Sequence, residues 1–257
     1  MGIDASAYEI WWMSAAEIEA LGNNLPRFDT VLSQPLMSGN FANLAKDKLQ
    51  DTCKALKSLL PFIHSLYCDV IVSDCLYVGK MGKCIRGSVS DYHSSIVLKS
   101  FLNGDNEATC LEKLRSGDMT DAPSRWRASV AELIKREEHV DVGFVGEMAE
   151  IIKAQDSMHF INHPKPDLVR AYMEKTLSML LQKTVPLKSS EDTLAVFGSW
   201  PVYNWASEKL GFDCQSDFFL RERFQVKMEF SKFILQSFRA YFGTPAEYLA
   251  YKKPGAI

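Results

Sequence analysis

The chain carries a histidine between an apolar run and two prolines set one residue apart, in Phe160-Ile161-Asn162-His163-Pro164-Lys165-Pro166-Asp167. Neither proline has a backbone N–H to give, and each drives its predecessor out of the α region, so Asn162-His163 and Lys165 are extended or in a turn. The imidazole therefore falls at a strand-to-helix corner, where catalytic side chains are often displayed. The helix after it opens at Pro166 or Asp167, and Leu168, Tyr172, Leu177, Leu180 and Leu181 recur at helical spacing to about Gln182. With an ordinary pKa near ~6.5, His163 can act as a general base at neutral pH once a carboxylate or carbonyl orients it. The alternative is a histidine that only hydrogen-bonds its own turn.

Upstream, short β-branched or aromatic runs alternate with helical patterns. Tyr8 to Met13 reads as a strand, and Ser14-Ala15-Ala16-Glu17 matches a capping box. Phe28 to Ser33 is a second strand, and Gln34 after its end lies where open α/β sheets place ligands. Residues 42–64 read as helix through Leu44, Leu49, Leu56, Leu59 and Leu60, and Asp69 to Ser73 as a third strand. Ser94 to Leu102 reads as a helix stopped by Asn103-Gly104; Ser129 caps another, and Val145 to Ala154 continues helically. A final helix is predicted from about Phe218 to Tyr241, with Phe219, Phe230, Phe233, Ile234 and Tyr241 as its core stripe. This alternation predicts an α/β, helix-rich fold with a largely parallel central sheet flanked by helices. The expected division is an α/β core over residues 1–182 and a helical C-terminal region over 183–257, within one domain overall.

The densest polar stretch is Gly79-Lys80-Met81-Gly82-Lys83-Cys84-Ile85-Arg86-Gly87, followed by Ser90-Asp91-Tyr92-His93-Ser94. Its glycines let backbone amides approach a ligand, and Lys80, Lys83 and Arg86 can meet phosphate charge, although the Gly-Lys-Ser/Thr ending of a Walker A loop is absent. Tyr92 and Ser94 join these cations as candidate cofactor contacts. Asp91 and His93 share a face if the chain is extended there, which makes them a second candidate base pair.

A net charge of −3 leaves nucleic acid without an electrostatic footprint to bind. Cys53, Cys68, Cys75, Cys84, Cys110 and Cys214 form no CxxC pair and no metal-ligand spacing, so reduced thiols in a cytoplasm and no metal are expected. No apolar run approaches the roughly 20 residues that cross a bilayer, which leaves at most peripheral membrane association.

In order, Phe28 to Pro35, Asp91-Tyr92-His93-Ser94, Leu133 to Val142, Phe160-Ile161-Asn162-His163-Pro164, and Pro201-Val202-Tyr203 ahead of Leu210-Gly211 resemble the WcbI family of capsular polysaccharide biosynthesis proteins. The resemblance spans about Tyr8 to Tyr241. It implies a cytoplasmic coenzyme A-binding acetyltransferase, with acetyl-CoA as donor and a sugar hydroxyl of a capsular or other surface polysaccharide as acceptor. His163 would take the hydroxyl's proton during direct attack on the thioester, with Asn162, Gln34 or backbone N–H groups stabilising the oxyanion. Lys80, Lys83 and Arg86 would meet the CoA phosphates. The family's Gly-Asn-Cys-Gln turn after a first strand does not occur here, which points to a truncated start, an altered mechanism or an inactive protein. Two alternatives therefore stay open: a catalytically silent CoA- or glycan-binding component, and a sugar-ester hydrolase lacking the Gly-x-Ser-x-Gly elbow.

Overall fold

A computed structural model of the chain describes residues 15–33, 49, 55–59, 70–72, 92–160, 163–188, 191–192, 194–195, 199–213, 215, 218–221, 226–244 and 249. Contacts divide the chain into two units, Met1–Pro61 with Lys135–Phe144, and Phe62–Ile134 with Val145–Ile257.

In the first unit, α1 (Ala15–Asn24) buries Ile18 and Leu21, three residues apart on one helical face. A single 3-10 turn, Leu25–Arg27, carries Pro26 near its start, where a missing N–H removes no helical hydrogen bond. The chain then extends into β1 (Val31–Ser33), which pairs in parallel with β2 (Leu56–Ser58), Val31 opposite Leu56 and Ser33 opposite Ser58. A parallel bridge from Leu59 to Val142 continues this ladder. The helix predicted over residues 42–64 is thus corrected at its C-terminal end. Leu56 and Leu59 fit a helical stripe, yet Val31 N–H donates to Ala55 O and Leu59 N–H to Ser33 O, so the backbone groups are satisfied by a neighbouring strand.

In the second unit, β3 (Val70–Val72) runs antiparallel to β4 (Tyr92–Ser94). Ser94 ends that strand and caps α2 (Ser95–Leu102), its hydroxyl accepting from Val97 N–H at 3.2 Å. α3 (Glu107–Ser116) is capped by Asn106, whose side chain accepts from Thr109 N–H at 2.9 Å, and is closed by Gly117 at φ +64. α4 (Ala122–Glu137) starts earlier than predicted: the carboxylate of Asp121 accepts from Ser124 N–H at 3.1 Å, and Ser129 lies buried inside the helix rather than at its cap. α5 (Val145–Ala154) leads to the antiparallel pair β5 (Met158–Phe160) and β6 (His163–Pro164), then α6 (Pro166–Leu181) and α7 (Asn204–Leu210).

The long final helix predicted from the aromatic spacing is corrected to a hairpin and a shorter helix. β7 (Phe218–Arg221) pairs antiparallel with β8 (Val226–Glu229), and α8 (Phe230–Tyr241) follows. Phe218-Phe219-Leu220 are residues that suit a pleated surface, and pairing decides a run too short for periodicity to settle. Of the described strand pairs only β1 with β2 is parallel, extended by the Leu59–Val142 bridge, and the other three are antiparallel, so the largely parallel central sheet expected from the sequence is not seen among the described residues. The molecule is helix-rich, with short strand pairs.

The core of the second unit gathers Ile96, Val97 and Leu98 of α2, Cys110 and Leu114 of α3, Phe160 of β5, Trp200, Tyr203 and Trp205, and Phe230, Phe233, Ile234 and Tyr241 of α8. Gly117 is fixed by this packing. A Cβ there would fall 2.3 Å from the Trp205 ring, which donates its indole N–H to Leu114 O at 2.9 Å. The positive φ and the close approach of Trp205 both require glycine.

Candidate functional site

β5 and β6 form a tight antiparallel return in which Phe160 faces His163 across a register irregularity. Lys165 N–H donates to Ser157 O at 2.8 Å, and its ammonium donates to Asp156 Oδ2 at 2.9 Å, so the foot of the return is held by main chain and side chain together. Pro166 then begins α6, as the double-proline pattern predicts. His163 is half-buried, its ring edge-on to Phe160 with centroids 5.9 Å apart. Burial, and secondarily the neighbouring His159, push its pKa below the ordinary imidazole value, so it is a neutral proton acceptor at pH 7.

The adjoining strand holds a constellation that sequence reading passes over. His159 stands between Met158 and Phe160 on the opposite face of β5, and its side chain is fully buried. Its Nε2 lies 2.9 Å and 3.1 Å from the two carboxylate oxygens of Asp192, and its Nδ1 lies 2.6 Å from Ser199 Oγ. A carboxylate can only accept, so Nε2 carries the hydrogen and donates to Asp192. In the neutral ring Nδ1 is then the lone-pair nitrogen, and the Ser199 hydroxyl donates to it. Trp200 N–H donates to His159 O at 2.6 Å, fixing the strand beside the segment that bears Ser199. Asp192 is positioned in turn by Ala195 N–H, which donates to its Oδ1 at 3.1 Å.

Hydroxyl, imidazole and carboxylate in this order are what proton abstraction from an alcohol requires: an acceptor nitrogen on the O–H and an anion on the far side of the ring. In the serine-protease arrangement serine meets Nε2 and aspartate Nδ1. Here the two nitrogens are exchanged, and the tautomer logic is unchanged.

The other sequence candidates fall differently. His93 is fully buried on β4, its Nδ1 2.8 Å from the Tyr241 hydroxyl, with ring centroids 5.5 Å apart. Ser94 serves as the cap of α2. Tyr92 lies on β4 opposite Val72. Gln34, Lys80, Lys83, Arg86, Asp91 and Asn162 lie outside the described residues. Cys110 sits in the core, and burial pushes its thiol up to about 11, far from a nucleophilic thiolate. Concavities on α3, lined by residues such as Leu111, Arg115 and Glu107, contain no histidine. Among the described residues no group of three or more His, Cys, Asp or Glu could hold a metal, and no helix is long and apolar enough to cross a membrane.

A signal for His159 does exist in the sequence. It is a titratable residue inside the apolar run Met158-His159-Phe160-Ile161, where a buried imidazole needs polar partners. Its partners are 33 and 40 residues away, in a segment without periodicity, so the run alone does not identify them.

Fold and site together define a helix-rich protein with short strand pairs and a hydroxyl–imidazole–carboxylate array, buried at its serine and histidine, beside a second, half-buried imidazole. The family model described as polysaccharide biosynthesis enzyme WcbI matches residues 9–182, and the chain belongs to that family. Its fold is similar to that of a solved structure described as WcbI, a novel polysaccharide biosynthesis enzyme, in native form without a disulfide bond between coenzyme A and one of its cysteines. The likeness has a TM-score of 0.73 at 16% identity, over 93% of this chain and 80% of that chain. No curated protein matches the chain.

Proposed function

We propose that this protein transfers an acetyl group from acetyl-CoA to a hydroxyl of a sugar destined for a capsular or other surface polysaccharide, and that it does so in the cytoplasm. Membership of the WcbI family over residues 9–182 carries this reading. The structurally similar WcbI, described with coenzyme A, supports the donor. His163 takes the proton of the sugar hydroxyl as its oxygen attacks the acyl carbon. Its depressed pKa favours that role, since burial keeps the ring neutral and able to accept. Lys80, Lys83 and Arg86, with Tyr92 near them in sequence, are the groups we assign to the CoA phosphates. Asn162 and Gln34 are the corresponding candidates for stabilising the oxyanion.

The test is acetyl transfer from acetyl-CoA to a panel of sugar acceptors, measured beside CoA binding by calorimetry. His163→Ala is expected to lower transfer by about 100-fold or more, the usual worth of a general base, with CoA affinity retained. Equal rates in wild type and His163→Ala would remove this imidazole from the reaction. CoA binding without turnover on any acceptor would leave a binding component of polysaccharide assembly.

A further inference from the structure

We infer that Ser199, His159 and Asp192 form an acyl-transfer triad, and that the acetyl group passes through an ester on Ser199 before it reaches the sugar. The inference rests on the CoA-to-sugar reading above for its donor and acceptor. It replaces the single direct attack by two half-reactions.

Three observations carry it. The hydroxyl is 2.6 Å from an imidazole nitrogen that, in the neutral ring with Nε2 donating to Asp192, is the proton acceptor. The opposite nitrogen meets both oxygens of a carboxylate, which can stabilise the imidazolium once the proton arrives. Finally, Ser199 is 4% exposed and His159 0%, so bulk water is largely kept from an ester at this position. Restricted water favours transfer to a bound alcohol over hydrolysis.

In the donor half-reaction Ser199 Oγ bonds to the acyl carbon and the carbon–sulfur bond breaks. The serine proton moves to His159 Nδ1, and CoA departs as a thiolate that takes its proton from solvent. In the acceptor half-reaction the sugar oxygen bonds to the acyl carbon and the carbon–Oγ bond breaks. Oγ recovers its proton from His159, while the sugar's proton goes to His163 and then to solvent. One proton is taken from solvent and one returned, with no oxidant or reductant. His159 thus serves the donor step and His163 the acceptor.

The experiment is acylation without acceptor. Wild-type protein mixed with acetyl-CoA is expected to release close to one equivalent of CoA in a burst and to carry an acetyl group on the peptide containing Ser199, read by mass spectrometry. His163→Ala should keep the burst and lose transfer. Ser199→Ala should lose both, with CoA affinity retained. Asp192→Asn should slow the burst by roughly 10⁴-fold, the scale of the corresponding change in a serine protease. p-Nitrophenyl acetate serves as a second acyl donor that does not depend on CoA. Acetylation of Ser199 by this ester but not by acetyl-CoA would uphold the triad and sink the CoA reading. Full transfer by Ser199→Ala, with no labelled peptide from wild type, would overturn the triad and leave CoA-to-sugar transfer standing. No label on Ser199 from either donor would also overturn it, and that measurement needs no variant to fold.

Discussion

Gly117→Ala tests how the core places the segment that carries Ser199. The added methyl meets two separate costs. At φ +64 an L-residue sits in the left-handed region, which costs roughly 1–2 kcal/mol. The new Cβ would lie 2.3 Å from the Trp205 ring, which cannot recede without loosening its hydrogen bond to Leu114 O, and such overpacking adds about 1–3 kcal/mol. Together the loss is about 2–5 kcal/mol, a fall in melting temperature of roughly 4–20 °C for a chain of this size. Gly211→Ala supplies the control. Gly211 has φ +69, but a Cβ there meets nothing within 4 Å, so only the backbone cost of about 1–2 kcal/mol applies. Differential scanning calorimetry of both variants separates the terms. If Gly117→Ala loses no more stability than Gly211→Ala, Trp205 moves aside freely, and the close approach of α3 and α7 does not constrain this core.

Tyr241→Phe deletes the hydroxyl that meets His93 Nδ1 at 2.8 Å in a fully buried place, and should cost about 1–3 kcal/mol in urea unfolding while acetyl transfer per folded molecule is unchanged. His163 makes stability depend on pH. Its folded pKa lies below 6.5, so between the two values the unfolded chain binds more protons and stability rises with pH. The contribution of the neutral ring is whole above 6.5 and is lost as the pH falls through the folded value; urea midpoints across this range should show that slope, flattened in His163→Gln. The same shift places the acid limb of the pH–rate profile below 6.5. Lys83→Ala and Arg86→Ala should weaken CoA more than dephospho-CoA if they hold the 3′-phosphate, and an equal loss for both ligands would assign them elsewhere.

Elements marked by chemistry at a single residue are mostly readable in advance, Ser129 being the exception because Asp121 opens α4 about two turns earlier. Pro166 opens α6, Ser94 caps α2 before Asn103-Gly104 ends it, and the β-branched run at Val70–Val72 is a strand. Where the code is only apolar spacing, two structures share it. Leu56 and Leu59 suit a helix until β1 offers Ala55 and Leu59 their backbone partners, and Phe219 suits a helical stripe until β8 pairs with it. His163 is legible because prolines frame it. His159 is not, because its meaning depends on Asp192 and Ser199, which folding alone brings to the ring.

That difference bears on the chemistry. A half-buried imidazole such as His163 can exchange protons with solvent, which suits a group that must discharge the acceptor's proton at each turnover. His159 is sealed on strand β5, its main chain pinned by Trp200 N–H and its ring by Asp192 and Ser199. An imidazole held on all sides moves a proton between fixed partners rather than to water. Asp192, with 26% of its side chain exposed, is the wetter end of the array, and Ser199 the drier. The hydroxyl that the carboxylate activates through the ring is thus shielded. Two histidines four residues apart thus differ in burial as the two half-reactions differ in need: shielded proton storage for making the acyl ester, and a solvent-connected base for spending it on a sugar.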